Sequence, residues 1–132
     1  MRWFGEIDMT TILIIEDEVQ TKKVLLDSLR FEGFRAIAAD NGKAGLDLAQ
    51  KHRPNLIVCD IMMPEMDGYE TMQIIRKDKG RENLPIIAVT AKAMKGDREK
   101  CIEAGASDYI TKPLDMGQLV SLMRIWLQET EY

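Results

Sequence analysis

The chain has 132 residues, 22 of them acidic and 18 basic, for a formal net charge of -4. That length suits one domain with one core. The acidic balance and the absence of a basic run argue against a nucleic-acid surface, and no apolar stretch is long enough to span a bilayer. The two cysteines, Cys59 and Cys101, form no CxxC pair, so a zinc site or a disulfide framework is not expected and a reducing, cytoplasmic setting is.

Residues 1–10 read as an N-terminal extension. Trp3, Phe4 and Ile7 are apolar, but the segment is too short and too acidic for a signal peptide. From Thr11 to Ile15 an unbroken β-branched and aliphatic run predicts a central strand buried on both faces, ending at Glu16-Asp17-Glu18. A helix follows from Val19, with Val19, Lys23, Leu26 and Leu29/Arg30 at helical spacing, Leu25 and Leu29 widening the stripe, and Gly33 closing it. Arg35 to Ala39 is a second strand, and Asp40-Asn41-Gly42 a turn. Lys43 to His52 is a second helix with Ala44, Leu48 and Ala49 inward. The lone His52, at a helix end, has the sequence context of a solvated residue rather than a ligand.

Pro54 introduces the apolar run Leu56 to Cys59, a third strand that ends on Asp60. Cys59 inside it reads as packing. Pro64 and Gly68 mark a tight loop before a helix from Gly68 to Lys77, with Met72 and Ile75 on one face. The segment from Lys77 to Asn83 is loop-like. Pro85 opens a fourth strand, Ile86 to Val89, ending at Thr90. A helix from Asp97 to Ala104 is stopped by Gly105. Tyr109 to Thr111 is a short fifth strand followed by Lys112-Pro113, and Asp115 to Leu127 is the last helix, with Leu119, Met123 and Trp126 spaced for one face. Residues 128–132 form a tail.

Strands and helices alternate five times with short connections. This predicts an α/β fold: a single doubly wound parallel sheet with helices on both faces. In such a sheet the carboxyl ends of the strands share one edge. The first strand delivers Glu16 and Asp17 there, the third Asp60, the fourth Thr90 and the fifth Lys112. Two carboxylates ~5 Å apart repel by about 3 kcal/mol at an effective dielectric of ~20, a cost a hard divalent cation removes. Mg²⁺ suits a few carboxylates together with water and phosphate oxygens. With a lysine and a hydroxyl beside it, the set has the parts for phosphoryl transfer onto a carboxylate.

The order and spacing of Ile15-Glu16-Asp17-Glu18, Asp60-Ile61-Met62-Met63-Pro64-Glu65-Met66-Asp67-Gly68, Val89-Thr90-Ala91, Gly105-Ala106-Ser107-Asp108-Tyr109 and Thr111-Lys112-Pro113 resemble the receiver domain of two-component response regulators, over residues 11–127. The resemblance implies sheet order 2-1-3-4-5. It makes Asp60 the phosphoacceptor, taking its phosphoryl group from a histidine kinase or a histidine phosphotransfer protein. Glu16, Asp17, Asp60 and the backbone carbonyl of Met62 would hold Mg²⁺. Thr90 and Lys112 would engage the phosphoryl group, Tyr109 would be the switch aromatic, and the bond before Pro113 would be cis. The resemblance makes the chain a switch that assists its own phosphorylation and dephosphorylation rather than an enzyme. Output would run through a protein contact on the face of the fourth helix, fifth strand and fifth helix, with self-association one form of it. A stand-alone regulator and a module of a hybrid sensor kinase both fit the segment from Thr90 to Lys100.

Three other readings compete with this one. A haloacid-dehalogenase-type phosphatase shares only the strand-terminal Asp60, and has a second aspartate where this chain has Met62. An FMN-binding flavodoxin needs a phosphate loop where Glu16-Asp17-Glu18 would repel it. A degenerate receiver that binds partners without phosphorylation is the alternative function, opposed by the intact acids, Thr90 and Lys112. By the same resemblance, the residues two past Asp60 and Thr90, here Met62 and Lys92, border the path of the water that attacks the phosphoryl group. Met62 cannot orient that water by a strong hydrogen bond and the Lys92 ammonium has no acceptor, so a phosphoryl group lasting minutes or more is expected.

Overall fold

The unbroken apolar runs become strands covered on both sides. In the computed structural model, which describes residues 10–78, 80–91 and 96–131 with side chains to residue 128, every residue of β1 (Thr11–Ile15), β3 (Leu56–Asp60) and β4 (Ile86–Thr90) is buried. The two outer strands, β2 (Arg35–Ala39) and β5 (Asp108–Thr111), are only partly covered. All pairs are parallel and the order is β2-β1-β3-β4-β5.

The helices are α1 (Val19–Phe31), α2 (Gly42–His52), α3 (Gly68–Lys77), α4 (Asp97–Ala104) and α5 (Met116–Glu131). Strand side chains alternate between faces, and the core divides accordingly. Leu13, Ile15, Ile57 and Cys59 join Ala49, Met72, Ile75 and Cys101 under α2, α3 and α4. Ile12, Ile14, Leu56 and Val58 join Leu25, Leu29, Leu119 and Met123 under α1 and α5. Cys59 is fully buried, and burial pushes its thiol pKa up, in keeping with a packing role.

Several elements differ in detail from the sequence reading. On α1 only Leu25 and Leu29 are buried, while Val19 is 66% exposed, so the true stripe is phased on that i, i+4 pair. On α2 the buried positions are Gly42, Gly45 and Ala49, with Ala44 and Leu48 only half-buried. A Cβ on Gly45 would lie 2.5 Å from Ile15 Cδ1, so a small residue there lets the helix sit directly on β1. The last helix begins at Met116, with Asp115 ahead of it accepting from the Gln118 N–H at 3.0 Å, and runs to Glu131 rather than Leu127. β5 begins at Asp108, whose carboxylate accepts from the Trp126 indole N–H at 3.1 Å and ties α5 to the sheet.

The end of the sheet opposite the carboxyl ends is held by an arginine that no motif singled out. Arg76, in the last turn of α3, donates to the carbonyls of Gly105 at 2.8 Å, Arg81 at 2.8 Å and Leu84 at 2.6 Å, and to Ser107 Oγ at 3.3 Å. Ser107 Oγ also accepts from the Ile86 N–H at 3.1 Å. One side chain thereby joins α3, the loop before β4 and the turn after α4.

Candidate functional site

The strand order brings the carboxyl ends of β1 and β3 side by side, with Ile15 paired to Cys59. Glu16 and Asp17 therefore meet Asp60. Carboxylate oxygens of all three lie within 4.8 Å of one another. Glu16 is 2% exposed and Asp60 3%, while Asp17 is open to solvent. Glu18, adjacent in sequence, takes another role. Its carboxylate accepts from the backbone N–H groups of Gln20 and Thr21 and from the Thr21 hydroxyl, capping α1. Those bonds lower its pKa. The run of three acids thus splits into two that face the cluster and one that satisfies a helix start.

Lys112, carried just past β5, brings its ammonium to 3.3 Å from Glu16 Oε1 and 3.7 Å from Asp60 Oδ2. It is nearer Glu16 than Asp60, and so serves both buried acids rather than Asp60 alone. Glu16 Oε2 accepts from the Glu18 N–H at 3.0 Å, and Asp60 Oδ1 from the Met62 N–H at 3.3 Å. These contacts do not offset burial. Loss of hydration, followed by the charge of Glu16, pushes the Asp60 pKa up to about 7, against the opposing pull of Lys112 and the Met62 N–H.

Two buried acids and one exposed acid facing a single lysine form a donor set short of positive charge, made only of hard oxygens. That set fits Mg²⁺. Thr90 is buried at the end of β4, one residue beyond Val89, the register partner of Asp60. The Lys112 N–H donates to its carbonyl at 2.7 Å, and the Lys112–Pro113 peptide bond is cis. Tyr109 is not at this edge. It lies two residues earlier on β5, opposite Ala88, half-buried against the core under α2, α3 and α4. Met62 is 70% exposed at the mouth of the cluster. Lys92 lies outside the described residues.

The loop after β3 holds a residue whose importance the sequence reading understated. Gly68 begins α3 directly over the Asp60 backbone: a Cβ there would stand 2.3 Å from the Asp60 carbonyl oxygen and 2.7 Å from Ile61 Cα. The Gly68 N–H donates to the Ile61 carbonyl at 3.0 Å, and Asp67 caps the helix through the Glu70 N–H at 2.9 Å. Read as a turn marker, Gly68 is instead the only residue type that lets the loop close against the strand end.

A family model described as the response regulator receiver domain matches residues 12–124. The chain belongs to that family. It is 37% identical over 117 residues to the polar-differentiation response regulator DivK of Brucella anthropi, covering 89% of this chain and 95% of that one. Among solved structures, a putative response regulator from Chloroflexus aurantiacus superposes with a TM-score of 0.87 at 30% identity, covering 92% of this chain and 99% of that one. The receiver domain of the Pseudomonas aeruginosa sensor histidine kinase PA1611, described with a magnesium ion coordinated in its active-site cleft, superposes with a TM-score of 0.84 at 33% identity, covering 91% and 98%. The chain is therefore a receiver domain, a phosphoacceptor signalling module of two-component systems, and its acidic cluster fits a phosphorylation site. Receivers work with histidine kinases or phosphotransfer proteins and bind Mg²⁺ in this cleft. The degenerate-receiver alternative is not favoured. Among the described residues no helix is long and apolar enough to cross a membrane.

Proposed function

We propose that residues 11–127 form a cytoplasmic receiver in which Asp60 accepts a phosphoryl group from the phosphohistidine of a histidine kinase or a histidine phosphotransfer protein. The observation that carries this reading is the meeting of two buried acids, one exposed acid and one lysine at the ends of β1, β3 and β5. An Asp60 carboxylate oxygen attacks phosphorus as the phosphorus–nitrogen bond breaks, and the electron pair leaves on the donor imidazole. Glu16, Asp17, Asp60 and the Met62 carbonyl would hold Mg²⁺, which when bound neutralises the carboxylates and the incoming phosphoryl oxygens.

Lys112 neutralises charge beside Asp60 and remains to pair with a phosphoryl oxygen, and Thr90 contributes its hydroxyl from β4. The phosphoryl group shifts the domain only through contacts that differ between its two states. Thr90 and Lys112 make those contacts, and Tyr109 passes the change to the face of α4, β5 and α5, where a protein partner or a second copy reads it. The domain assists its own phosphorylation and loss of phosphate and turns over no separate substrate.

Incubation with a phosphodonor and Mg²⁺, followed by mapping of the label, tests the assignment. Asp60→Ala is expected to remove the label, and a chelator to stop its formation. Undiminished labelling of the variant overturns the role of Asp60. The labelled protein is expected to decay over minutes or more without a phosphatase, and Met62→Asn, which supplies an acceptor for water, to shorten that lifetime.

A further inference from the structure

At the amino end of the sheet, the turn after α2 meets the loop before β4 in an open pocket of about 310 Å³. Pro54 and Pro85 form part of its wall. Four side chains that carry N–H donors line it: Arg53, Asn55, Arg81 and Asn83. No acid is among the described residues that line it. The chain as a whole carries a formal net charge of -4, so a pocket with two guanidinium groups and no carboxylate departs from the average surface.

Donors here outnumber acceptors. The Ala49 carbonyl, in the last turn of α2, accepts from the Arg53 N–H at 3.1 Å and from Arg81 Nη2 at 2.9 Å. The pull of a helix end on a cation accounts for that one Arg81 contact. The rest of its fork has no partner among the described residues. Asn55 Oδ1 accepts from the Thr11 N–H at 2.8 Å, which leaves the Asn55 NH2 as the group still to be paired. The Arg53 guanidinium and the Asn83 amide make no hydrogen bond or ion pair among the described residues. Arg53 also has φ 45° and ψ 65°, the left-handed conformation that glycine takes at least cost after a helix. An arginine there keeps a cation at the edge of the pocket where glycine would serve the turn alone.

We propose that this pocket binds a small oxyanion, the phosphate or carboxylate group of a free ligand, between Arg53 and Arg81 with the Asn55 and Asn83 amides beside them. Two cations brought to one helix end repel, and an oxyanion that pairs with both removes that cost. A guanidinium fork suits such a group because it can donate two parallel bonds to it. The frame is fixed: Arg76 holds the carbonyls of Arg81 and Leu84, so the loop that carries Arg81 and Asn83 is tied to α3. Glu82, next to Arg81, accepts from the Gly80 N–H at 3.4 Å and is not part of the lining. The pocket lies at the other end of the sheet from Asp60, so its ligand does not compete with the phosphoryl group.

Titration of the metal-free, full-length protein with pyrophosphate, at an ionic strength held constant with chloride, tests this by the amide resonances of the chain. Saturable shifts are expected at Arg53, Asn55, Gly80, Arg81 and Asn83, and none at Glu16 or Asp60. Arg53→Gly is expected to weaken half-saturation about tenfold, the loss of one charge-assisted contact. Glycine fits the backbone at that position, so the urea midpoint of this variant should stay or rise, which separates lost binding from lost folding. Lys51→Ala removes an exposed charge two residues away and outside the lining, and is expected to change half-saturation less than twofold. Shifts that grow without saturating, or that survive Arg53→Gly unchanged, overturn the proposal. So does an equal loss in Lys51→Ala, which would reduce the effect to diffuse charge. Flotation with phosphatidylglycerol vesicles in the absence of any pyrophosphate response would also overturn it, by giving the donors to a lipid headgroup. None of these readouts depends on phosphorylation of Asp60.

Discussion

The two ends of the sheet handle buried charge in opposite ways. At the carboxyl end, two acids are buried with one lysine between them, and the Asp60 pKa stands near 7 because its ionised form is under-compensated. At the amino end, the Arg76 guanidinium is half-buried, and loss of hydration lowers its pKa. It nonetheless meets carbonyl oxygens from two loops and a serine hydroxyl at hydrogen-bond distance. One end keeps unspent electrostatic energy that a cation or a phosphoryl group can relieve. The other spends its charge on holding loops. The contrast separates a working site from a structural clamp without reference to motifs.

The largest expected effect comes from closing the space over Asp60. In most helices Gly→Ala stabilises, but the Gly68→Ala methyl would meet the Asp60 carbonyl oxygen at 2.3 Å. A loss of about 3 kcal/mol, the upper range for overpacking, is expected in urea unfolding, together with impaired phosphoryl acceptance. A neutral or stabilising result would mean that the loop after β3 yields easily.

Arg76→Met tests the clamp. It strips partners from the Gly105, Arg81 and Leu84 carbonyls, and a loss of about 2 kcal/mol is expected, with faster amide exchange from Arg81 to Leu84 and at Ser107. Arg76→Lys should recover only part of it, because an ammonium cannot span the fork of acceptors. Labelling of Asp60 should survive in both variants, which sets the two ends apart.

Acidification acts on the other end. The folded Asp60 pKa, about 7, is raised above its ordinary value of 3.8, so between those values the native state binds a proton that the unfolded chain does not. Stability contributed by this group therefore rises as pH falls through 7 and is lost as pH rises. In metal-free protein, wild type should gain about 1 kcal/mol relative to Asp60→Asn between pH 7.5 and pH 6. The difference should vanish with saturating Mg²⁺, which favours the carboxylate. A flat difference would show that Lys112 neutralises Asp60 fully. The smallest effect belongs to a pair at neither end: Lys23→Ala on α1 removes the exposed contact to Asp27 and should cost about 0.3 kcal/mol.

Sequence alone determined the strands, their parallel arrangement and the list of groups at the carboxyl edge. Runs such as Ile12 to Ile15 and Ile86 to Val89 admit burial only on both faces, and a helix between successive strands returns each strand parallel to the one before. The receiver motifs, read together, also named Asp60, Glu16, Asp17, Thr90 and Lys112 before any geometry was known. Tertiary structure decided what each group does with its neighbours. In the sequence, Glu16, Asp17 and Glu18 are simply three acids in a row. Only the turn into α1 sends Glu18 to a helix cap and Glu16 to Lys112, and only the placement of β1 beside β3 brings Glu16 to Asp60. Arg76 carries no local signal because its acceptors are backbone carbonyls, present at every position and distinguished only by where the loops fall. Gly68 and Gly45 show the same limit. A missing Cβ matters through the atom that would have met it, and that atom belongs to a strand under the helix.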